Sequence, residues 1–197
     1  MASVAVVKYN AGNIRSVLCA LARLGVDAEV TDDPQLLKKA SHVIFPGVGE
    51  ASSAMRYLHQ KHLDEVLVSL KQPFLGICLG MQLMCSLSEE SHTECLGIYP
   101  TPVIRFQPSL KAKIPHMGWN SVTVYDNSLF NKIPDPSWFY FVHSYYVPLS
   151  KQTEACCTHG RTQFSAALNL GNFWGVQFHP EKSGPSGAQL LTNFLQF

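Results

Sequence analysis

The first half of the chain alternates short apolar runs with segments of helical periodicity. The runs Val4–Val7, Ala28–Thr31 and His42–Phe45 are each followed by residues that favour turns. Between the first two runs, apolar residues recur every three or four positions over residues 14–24, which predicts an amphipathic helix. Strands that alternate with helices in this way predict a parallel sheet with helices on both faces. Ligand sites in such sheets lie beyond the carboxyl ends of the strands.

The second half of the chain has a different pattern. Beyond Glu94 it consists of short β-like runs rich in aromatic residues and proline, which favours antiparallel or mixed strands. Residues 186–197 carry apolar side chains on one helical face, so we expect a last helix that packs on the sheet. With 197 residues and 46% hydrophobic content, a single domain over residues 1–197 is expected. The predicted fold class is α/β, an open mixed, mainly parallel sheet flanked by helices, with a smaller antiparallel region in the C-terminal half.

Charge and composition argue against several classes of function. The formal net charge is +1, which provides no basic surface for nucleic acid or for an anionic membrane. No apolar run reaches membrane-spanning length and the N-terminus lacks the features of a secretory signal, so we expect a cytoplasmic protein. The six cysteines are not spaced as CxxC pairs, so we expect reduced thiols, no metal site and no cofactor.

Cys78 occupies the sequence setting of a nucleophile. The apolar run Phe74–Ile77 leads into Gly76-Ile77-Cys78-Leu79-Gly80, a G-x-C-x-G elbow between a buried strand and a helix. A thiol at a helix N-terminus lies in a positive potential that favours the thiolate, and the free N–H groups there can bind an oxyanion. Most unpaired cysteines are small buried hydrophobes, but the elbow favours a catalytic role for Cys78. We assign structural roles to the other five cysteines.

The segment His179-Pro180-Glu181 supplies a base and a group that can orient it. It follows an apolar run, so we expect it beyond the carboxyl end of a strand, as for Cys78. Catalysis by a thiol nucleophile needs a base that later acts as an acid, and a third group that holds the base. His116, His143 and His159 are alternatives for the base, but none is followed closely by a carboxylate on the same turn. His143 is also a candidate for a substrate or partner surface.

The segment Pro46-Gly47-Val48-Gly49 follows the third predicted strand and offers no reactive side chain. Glycines let backbone N–H groups approach a ligand or a developing negative charge. An ordinary tight turn is the alternative interpretation. We expect this loop to supply a second oxyanion donor.

Three motifs together resemble those of the class I glutamine amidotransferases, and the resemblance covers nearly the whole chain. They are Pro46-Gly47-Val48-Gly49, Gly76-Ile77-Cys78-Leu79-Gly80-Met81-Gln82 and Phe178-His179-Pro180-Glu181. Within that family, four more segments are similar to the glutaminase subunits of imidazole glycerol phosphate synthase: Gly12-Asn13, Pro115-His116-Met117-Gly118-Trp119-Asn120, Phe141-Val142-His143-Ser144 and Lys182. Val48 replaces the proline that the anthranilate, aminodeoxychorismate and GMP synthesis glutaminases usually carry. The opening Lys8-Tyr9-Asn10 departs from the usual Asp-Tyr-Gly.

The resemblance implies a flavodoxin-like fold and a glutaminase that hydrolyses glutamine to glutamate and ammonia. Cys78 would attack the side-chain amide, His179 would move the thiol proton to the departing ammonia, and Glu181 would hold His179. Water would then hydrolyse the glutamyl thioester. The remaining implied residues are the oxyanion N–H donors Val48 and Leu79, the glutamine contacts Gly49, Gln82, Ser144 and Tyr145, and the partner contacts Asn13, Trp119, Asn120 and Lys182.

The resemblance also implies a partner. This is a (β/α)₈ cyclase subunit that forms a heterodimer with the chain and receives its ammonia for histidine biosynthesis. Two other functions stay open. A γ-glutamyl hydrolase or another amidotransferase would use the same triad, whereas a flavodoxin-like binding or redox-sensing module would carry Cys78 as a reactive but non-catalytic thiol. The last alternative leaves His179 and Glu181 unexplained.

Overall fold

The strands at the centre of the molecule are apolar runs of the first half. In a computed structural model that describes residues 3–10, 12–108, 112–125 and 128–197, every residue of Val4–Val7, His42–Phe45 and Phe74–Ile77 is buried. Branched and aromatic side chains favour strands because they pack well on a pleated surface. Ala11, which belongs to the first predicted loop, lies outside the described residues.

The described residues form six α-helices and thirteen strands, numbered here in chain order. The helices are α1 Ile14–Arg23, α2 Pro34–Lys39, α3 Ala51–Gln60, α4 Leu63–Ser69, α5 Leu79–Leu83 and α6 Gly184–Phe194. The strands are β1 Val4–Val7, β2 Ala28–Thr31, β3 His42–Phe45, β4 Phe74–Ile77, β5 Leu87–Ser88, β6 Thr93–Glu94, β7 Ile104–Arg105, β8 His116–Val124, β9 Ser137–His143, β10 Tyr145–Tyr146, β11 Thr153–His159, β12 Thr162–Leu170 and β13 Phe173–Val176. Short 3₁₀ turns span Glu90–His92, Ser128–Phe130 and Pro180–Lys182.

Nine of these strands form one sheet in the order β2-β1-β3-β4-β13-β12-β11-β8-β9. Neighbours from β2 to β13 pair in parallel, and neighbours from β13 to β9 pair antiparallel. The prediction of an open mixed sheet flanked by helices is therefore confirmed. The antiparallel region is continuous with the parallel strands, since β13 pairs with β4 on one side and with β12 on the other.

Helices cover both faces of the parallel part of the sheet. Val4 and Val6 of β1 belong to the apolar cluster that includes residues of α1 and α6, whereas Ala5 and Val7 belong to the cluster that includes residues of α2 to α5. Successive side chains of a strand point to opposite faces, so the two clusters lie on opposite sides of the sheet. The expected last helix is α6, and its Phe194 is buried against the sheet. No helix in the described part of the chain has the length and apolar character to cross a bilayer.

Candidate active site

Four parallel strands bring the candidate residues to one edge of the sheet. The carboxyl ends of β1, β3, β4 and β13 lead to Tyr9, to the loop of residues 46–49, to Cys78 and to His179. We call residues 46–49 the glycine loop. Residues that are far apart in the chain meet here because parallel strands all end at the same edge.

Cys78 lies in a strained turn between β4 and α5. Its φ is 53° and its ψ is −108°, a conformation that is unfavourable for any residue except glycine and that costs about 1–3 kcal/mol. The backbone N–H of Cys78 donates to the carbonyl of Val176 at 2.8 Å, which ties the turn to β13. A Cβ on Gly80 would overlap the backbone carbonyl of Phe45, so only glycine allows α5 to begin this close to β3.

His179 and Glu181 form a buried pair. Nδ1 of His179 lies 2.8 Å from Oε1 of Glu181, and the two side chains are 1% and 0% exposed. The backbone holds the histidine in place, since its N–H donates to Tyr140 O at 2.9 Å and its carbonyl accepts from the hydroxyl of Ser183 at 2.6 Å. Among the described residues, none forms a hydrogen bond with the Nε2 atom of His179. The pair therefore presents one ring nitrogen that is free to exchange a proton.

The charges around His179 decide its protonation. Burial alone lowers the pKa of His179, but the negative charges of Cys78 and Glu181 outweigh burial and raise the pKa to about 10. At neutral pH the ring of His179 is therefore the charged imidazolium. A thiolate paired with an imidazolium is an activated nucleophile with its proton donor already in place.

Asn13 lies against this pair. Its Nδ2 atom donates to Oε1 of Glu181, the same oxygen that faces His179. Asn13 precedes α1 and has a left-handed backbone with φ of 72°, a conformation that asparagine tolerates better than most residues. Sequence reasoning assigned Asn13 only to a partner interface, and the contact with Glu181 is an addition to that prediction.

A cavity of about 340 Å³ opens in front of Cys78. Its lining includes all of the predicted oxyanion and glutamine-binding residues, namely Val48, Gly49, Leu79, Gln82, Ser144 and Tyr145. The structure adds Glu90, Pro115 and Val142, and it places His143, already a candidate for a substrate surface, in the same lining. Glu90 is half-buried, its Oε2 accepts the N–H of Ala51 at 2.8 Å, and burial raises its pKa. Sequence reasoning missed Glu90 because no motif distinguishes it from a solvated carboxylate.

Gln82 is a buried residue of the cavity lining, and two acceptors fix its side-chain amide. Its Nε2 atom donates to Tyr145 O and to Oε1 of Gln177, both at 2.9 Å. The amide of Gln177 in turn lies 3.6 Å from the sulfur of Cys78. Both N–H groups of Gln82 are therefore used within the protein, and its Oε1 atom remains as an acceptor.

The glycine loop occupies the position where an oxyanion would bind. Leu79 N donates to the carbonyl of Gly47 at 3.3 Å, so one predicted oxyanion donor is already paired. In a trans peptide, the C=O of Gly47 and the N–H of Val48 point in opposite directions. With the Gly47 oxygen on Leu79, the Val48 N–H points away from Cys78. Rotation of this single peptide would free one donor and bring in the other.

The side chain of Tyr9 contacts the glycine loop and fixes its position. Its hydroxyl donates to the carbonyl of Pro46 at 2.6 Å, and a Cβ on Gly47 would overlap the same hydroxyl. Burial and the nearby Cys78 raise the pKa of Tyr9 above its usual value, so the hydroxyl keeps its proton. Tyr9 is part of the segment that departs from the family's usual opening, and the structure shows that it fixes the loop next to Cys78.

The other predicted partner contacts lie around the outer side of β8 and β9. Trp119 is 52% exposed and packs edge-on against the ring of Tyr140, at 6.3 Å between centroids. Lys182 is exposed, with Nζ 5.8 Å from the centroid of the same Tyr140 ring. Asn120 is half-buried and lies next to Trp119 on β8. Trp119, Tyr140 and Lys182 form one contiguous outer patch beside the His179 turn.

No salt bridge within residues 3–10, 12–108, 112–125 and 128–197 joins one of the three alternative histidines to a carboxylate. Ring nitrogens of His116 and His143 lie 2.9 Å apart, and His159 lies 2.8 Å from the carbonyl of Lys113. In the described part of the chain, no group of three His, Cys, Asp or Glu side chains is arranged to hold a metal ion. The geometry favours His179 as the base.

Comparison with known proteins agrees with this geometry. The profile of the family "Glutamine amidotransferase class-I" matches residues 5–197. The imidazole glycerol phosphate synthase subunit HisH of Bacteroides fragilis is 54% identical over 194 residues, covering 98% of each chain, and that of Bacteroides thetaiotaomicron is 53% identical over 193 residues with the same coverage. The crystal structure of a glutamine amidotransferase superposes with a TM-score of 0.74 at 18% identity, covering 98% of each chain, which supports the fold.

Proposed function

Because this chain belongs to the class-I glutamine amidotransferases, we propose that it is the glutaminase subunit of an imidazole glycerol phosphate synthase. It hydrolyses glutamine to glutamate and ammonia, and it passes the ammonia to a cyclase subunit in histidine biosynthesis. One observation carries the proposal: Cys78 faces the cavity from a strained elbow, beside the buried pair of His179 and Glu181.

The chemistry follows from the charges of the three side chains. The Cys78 thiolate attacks the side-chain amide carbon of glutamine and forms a tetrahedral oxyanion. The His179 imidazolium gives its Nε2 proton to the leaving nitrogen, so ammonia departs and a glutamyl thioester remains. His179, now neutral, takes a proton from water, and the resulting hydroxide hydrolyses the thioester. Glu181 stabilises the imidazolium and fixes the ring through Nδ1.

The cavity offers complementary groups for glutamine. Glu90 supplies a carboxylate for the α-ammonium group, and a bound cation would offset the burial that raises the pKa of Glu90. Oε1 of Gln82 can accept from the ligand because both of its N–H groups are already paired. Gly49, Ser144 and Tyr145 complete the proposed contacts, and nothing in this chemistry requires a metal or a cofactor.

The proposed oxyanion hole needs a rearrangement. Val48 N–H and Leu79 N–H can both face the oxyanion only after the peptide between Gly47 and Val48 rotates. One such donor contributes about 3–4 kcal/mol to transition-state stabilisation. The free chain is therefore a slow glutaminase, and a partner that favours the rotated peptide activates it.

The proposed partner is a (β/α)₈ cyclase that forms a heterodimer through the face around Trp119, Asn120, Lys182 and Asn13. Exposed tryptophan beside a tyrosine is the composition of an interface hot spot. The mechanism needs a reduced thiol at Cys78, which fits a reducing compartment such as the cytoplasm. Neither nucleic acid nor a membrane has a part in it.

The decisive experiment separates the two half-reactions. Cys78→Ala in the complex with the cyclase subunit should abolish glutamine-dependent synthesis and leave ammonia-dependent synthesis intact. Cys85→Ala, which changes another buried cysteine at the end of α5, serves as the matched control and should retain both activities. If Cys78→Ala retained glutamine-dependent synthesis, the proposed nucleophile would be wrong.

The same material tests the alternatives. Full glutaminase activity without any partner would favour a γ-glutamyl hydrolase. A diazo-ketone analogue of glutamine should label Cys78 much faster than a generic thiol reagent does. Equal labelling rates would favour a redox or binding module without a glutamine site.

A further inference from the structure

His116 and His143 face each other across the β8–β9 pair. They are 4% and 6% exposed, and His143 lines the cavity in front of Cys78. His116 Nδ1 lies 2.9 Å from His143 Nε2. The proposed reaction uses neither ring, and a buried pair of titratable groups next to a substrate cavity calls for a physical role.

The donor and the acceptor in this histidine pair are defined, and the contact of His116 with Asn120 defines them first. The Oδ1 atom of Asn120 accepts the N–H of Ser121 at 2.8 Å, so the amide orientation is fixed and its Nδ2 atom must donate. Nδ2 lies 3.1 Å from His116 Nε2, which therefore accepts. A neutral imidazole that accepts at Nε2 carries its proton on Nδ1, so His116 donates to His143 Nε2.

The inner end requires the same direction. His143 Nδ1 lies 2.7 Å from the backbone carbonyl of Tyr145, and a carbonyl can only accept. His143 therefore carries its proton on Nδ1 and accepts at Nε2, as the outer end also requires. The contacts at Asn120 and at Tyr145 therefore lead independently to the same arrangement, a hydrogen-bond relay in which Asn120 donates to His116, His116 to His143, and His143 to the carbonyl of Tyr145.

The chain ends in the glutamine pocket. The Tyr145 carbonyl also accepts from Nε2 of Gln82, whose other N–H is bonded to Gln177 next to the Cys78 sulfur. The outer end lies at Asn120, beside the exposed Trp119 of the proposed partner face. A continuous set of hydrogen bonds thus joins the partner face to the residue that is proposed to hold the substrate.

The surroundings keep both rings neutral. Burial and neighbouring histidines lower the pKa of His143 to about 3 and that of His116 to about 4. An imidazolium has no acceptor nitrogen, so the directed chain requires neutral rings. Phe106 packs against both rings, and its N–H donates to Ser144 O at 3.1 Å, which fixes the segment that carries Tyr145.

The geometry points to Asn120, His116 and His143 as positioning residues that orient the Tyr145 carbonyl and, through it, Gln82 for glutamine binding. This inference rests on the proposed glutaminase function. Removal of one link leaves a buried acceptor or donor unpaired and lets the His143 ring exchange tautomers, so the Tyr145 carbonyl loses the His143 donor and keeps only Gln82.

Kinetics of the complex with the cyclase subunit test the inference. His116→Phe keeps the ring that stacks on Phe141 and His159 but removes both links. It should raise KM for glutamine about fivefold to tenfold and leave kcat within about twofold, because the triad is unchanged once glutamine is bound. The matched control is His159→Phe, which changes a histidine that stacks on His116 but takes no part in these hydrogen bonds, and it should keep KM within about twofold.

A pair of variants at His143 isolates the single bond to Tyr145. His143→Asn keeps a donor at the Nδ1 position, whereas His143→Phe has none. We expect a KM for His143→Asn at least threefold below that of His143→Phe. Equal KM values for these two variants, or a wild-type KM for His116→Phe, would overturn the inference.

A measurement on the wild-type protein tests the inference even if the variants fail to fold. Nitrogen-15 chemical shifts of the two rings at pH 7 should report the neutral Nδ1–H tautomer for both His116 and His143. An Nε2–H tautomer or a charged ring at either position would overturn the inference. If the wild-type complex had no glutaminase activity but both tautomers were as expected, the proposed function would be wrong, whereas the hydrogen-bond arrangement from Asn120 to Tyr145 would be confirmed.

Discussion

Asn13 donates its side-chain N–H to the carboxylate of Glu181. The oxygen that accepts, Oε1, also faces Nδ1 of His179, while Oε2 of the same carboxylate has no hydrogen-bond partner in the part of the chain that the structure describes. The amide therefore fixes which oxygen, and which orientation, Glu181 presents to the histidine. The proposed triad thus has a fourth member that acts through the carboxylate.

Replacement of Asn13 by glycine tests this positioning role. Glycine accepts the φ of 72° without strain, so Asn13→Gly removes the amide and little else. We expect kcat for glutamine hydrolysis in the complex to fall about fivefold to tenfold, the effect of one hydrogen bond to a charged group, with KM nearly unchanged. Asn10→Gly, which removes an exposed amide on the same loop, is the control. A fall in partner affinity with normal kcat at saturating partner would show that Asn13 serves only the interface.

Replacement of Glu181 by glutamine tests the origin of the high pKa of His179. The raised pKa keeps the imidazolium charged, and its proton is lost only as the pH rises through about 10. Glu181→Gln removes one of the two negative neighbours, so the alkaline limb of the kcat/KM profile should move to lower pH, and kcat should fall about 100-fold or more. The measurement is kcat/KM between pH 6 and 10.5. An alkaline limb at the wild-type position would contradict the assigned role of Glu181.

Much of this arrangement could be predicted from local sequence. The runs at residues 4–7, 28–31, 42–45 and 74–77 are strands with the predicted bounds. Each is a short run bounded by turn residues, and three of the four are buried throughout. Asp33 and Pro34 begin α2 as a capping residue followed by proline should, with the Asp33 side chain accepting from the N–H groups of Gln35 and Leu36. The elbow at Cys78 also lies where the glycines indicated.

Contacts between distant segments could not be predicted in this way. Asn13 and Glu181 are 168 positions apart, and His116 and His143 meet only because β8 pairs with β9 in one register. The hydrogen bond from Leu79 N to the Gly47 carbonyl depends on a single peptide orientation, which sequence does not report. Helices α3 and α4 were not predicted from the sequence, since neither begins at a residue whose side chain caps the first turn.

The hydroxyl of Tyr9 should restrain the glycine loop. It donates to Pro46 O, next to the peptide that must rotate to free Leu79 N–H. Tyr9→Phe removes that bond, so we expect the basal glutaminase rate of the free chain to rise about threefold to tenfold. Tyr57→Phe, which removes a hydroxyl of α3 that donates to Asp32, is the control and should leave the rate unchanged. An unchanged or lower basal rate in Tyr9→Phe would mean that the hydroxyl does not stabilise the peptide orientation in which the Gly47 carbonyl accepts from Leu79 N–H.

The histidine pair makes the fold sensitive to mild acid. Because the pKa values of His143 and His116 are lowered to about 3 and about 4, the unfolded chain binds protons near pH 6.5 that the folded chain refuses. Stability is therefore present above pH 6.5 and falls as the pH decreases toward 4. Each histidine accounts for about 2 kcal/mol of loss between pH 7.5 and pH 5. His179 stays protonated in the folded chain because its pKa is raised to about 10, whereas in the unfolded chain it takes up its proton near pH 6.5. It therefore adds a slope of the opposite sign between pH 7.5 and pH 6 in the wild type and in the variants alike, and the comparison between them removes it.

Urea unfolding at pH 7.5, 6 and 5 measures this loss. His116→Phe removes one of the two titrating groups from the cluster, so the free energy of unfolding of this variant should fall by about 2 kcal/mol less than that of the wild type over the same range. His159→Phe changes a less buried neighbour whose ring stacks on His116, and it should keep most of the wild-type acid loss. If His116→Phe and the wild type lost the same stability between pH 7.5 and pH 5, the buried histidine at position 116 would not be neutral in the folded state.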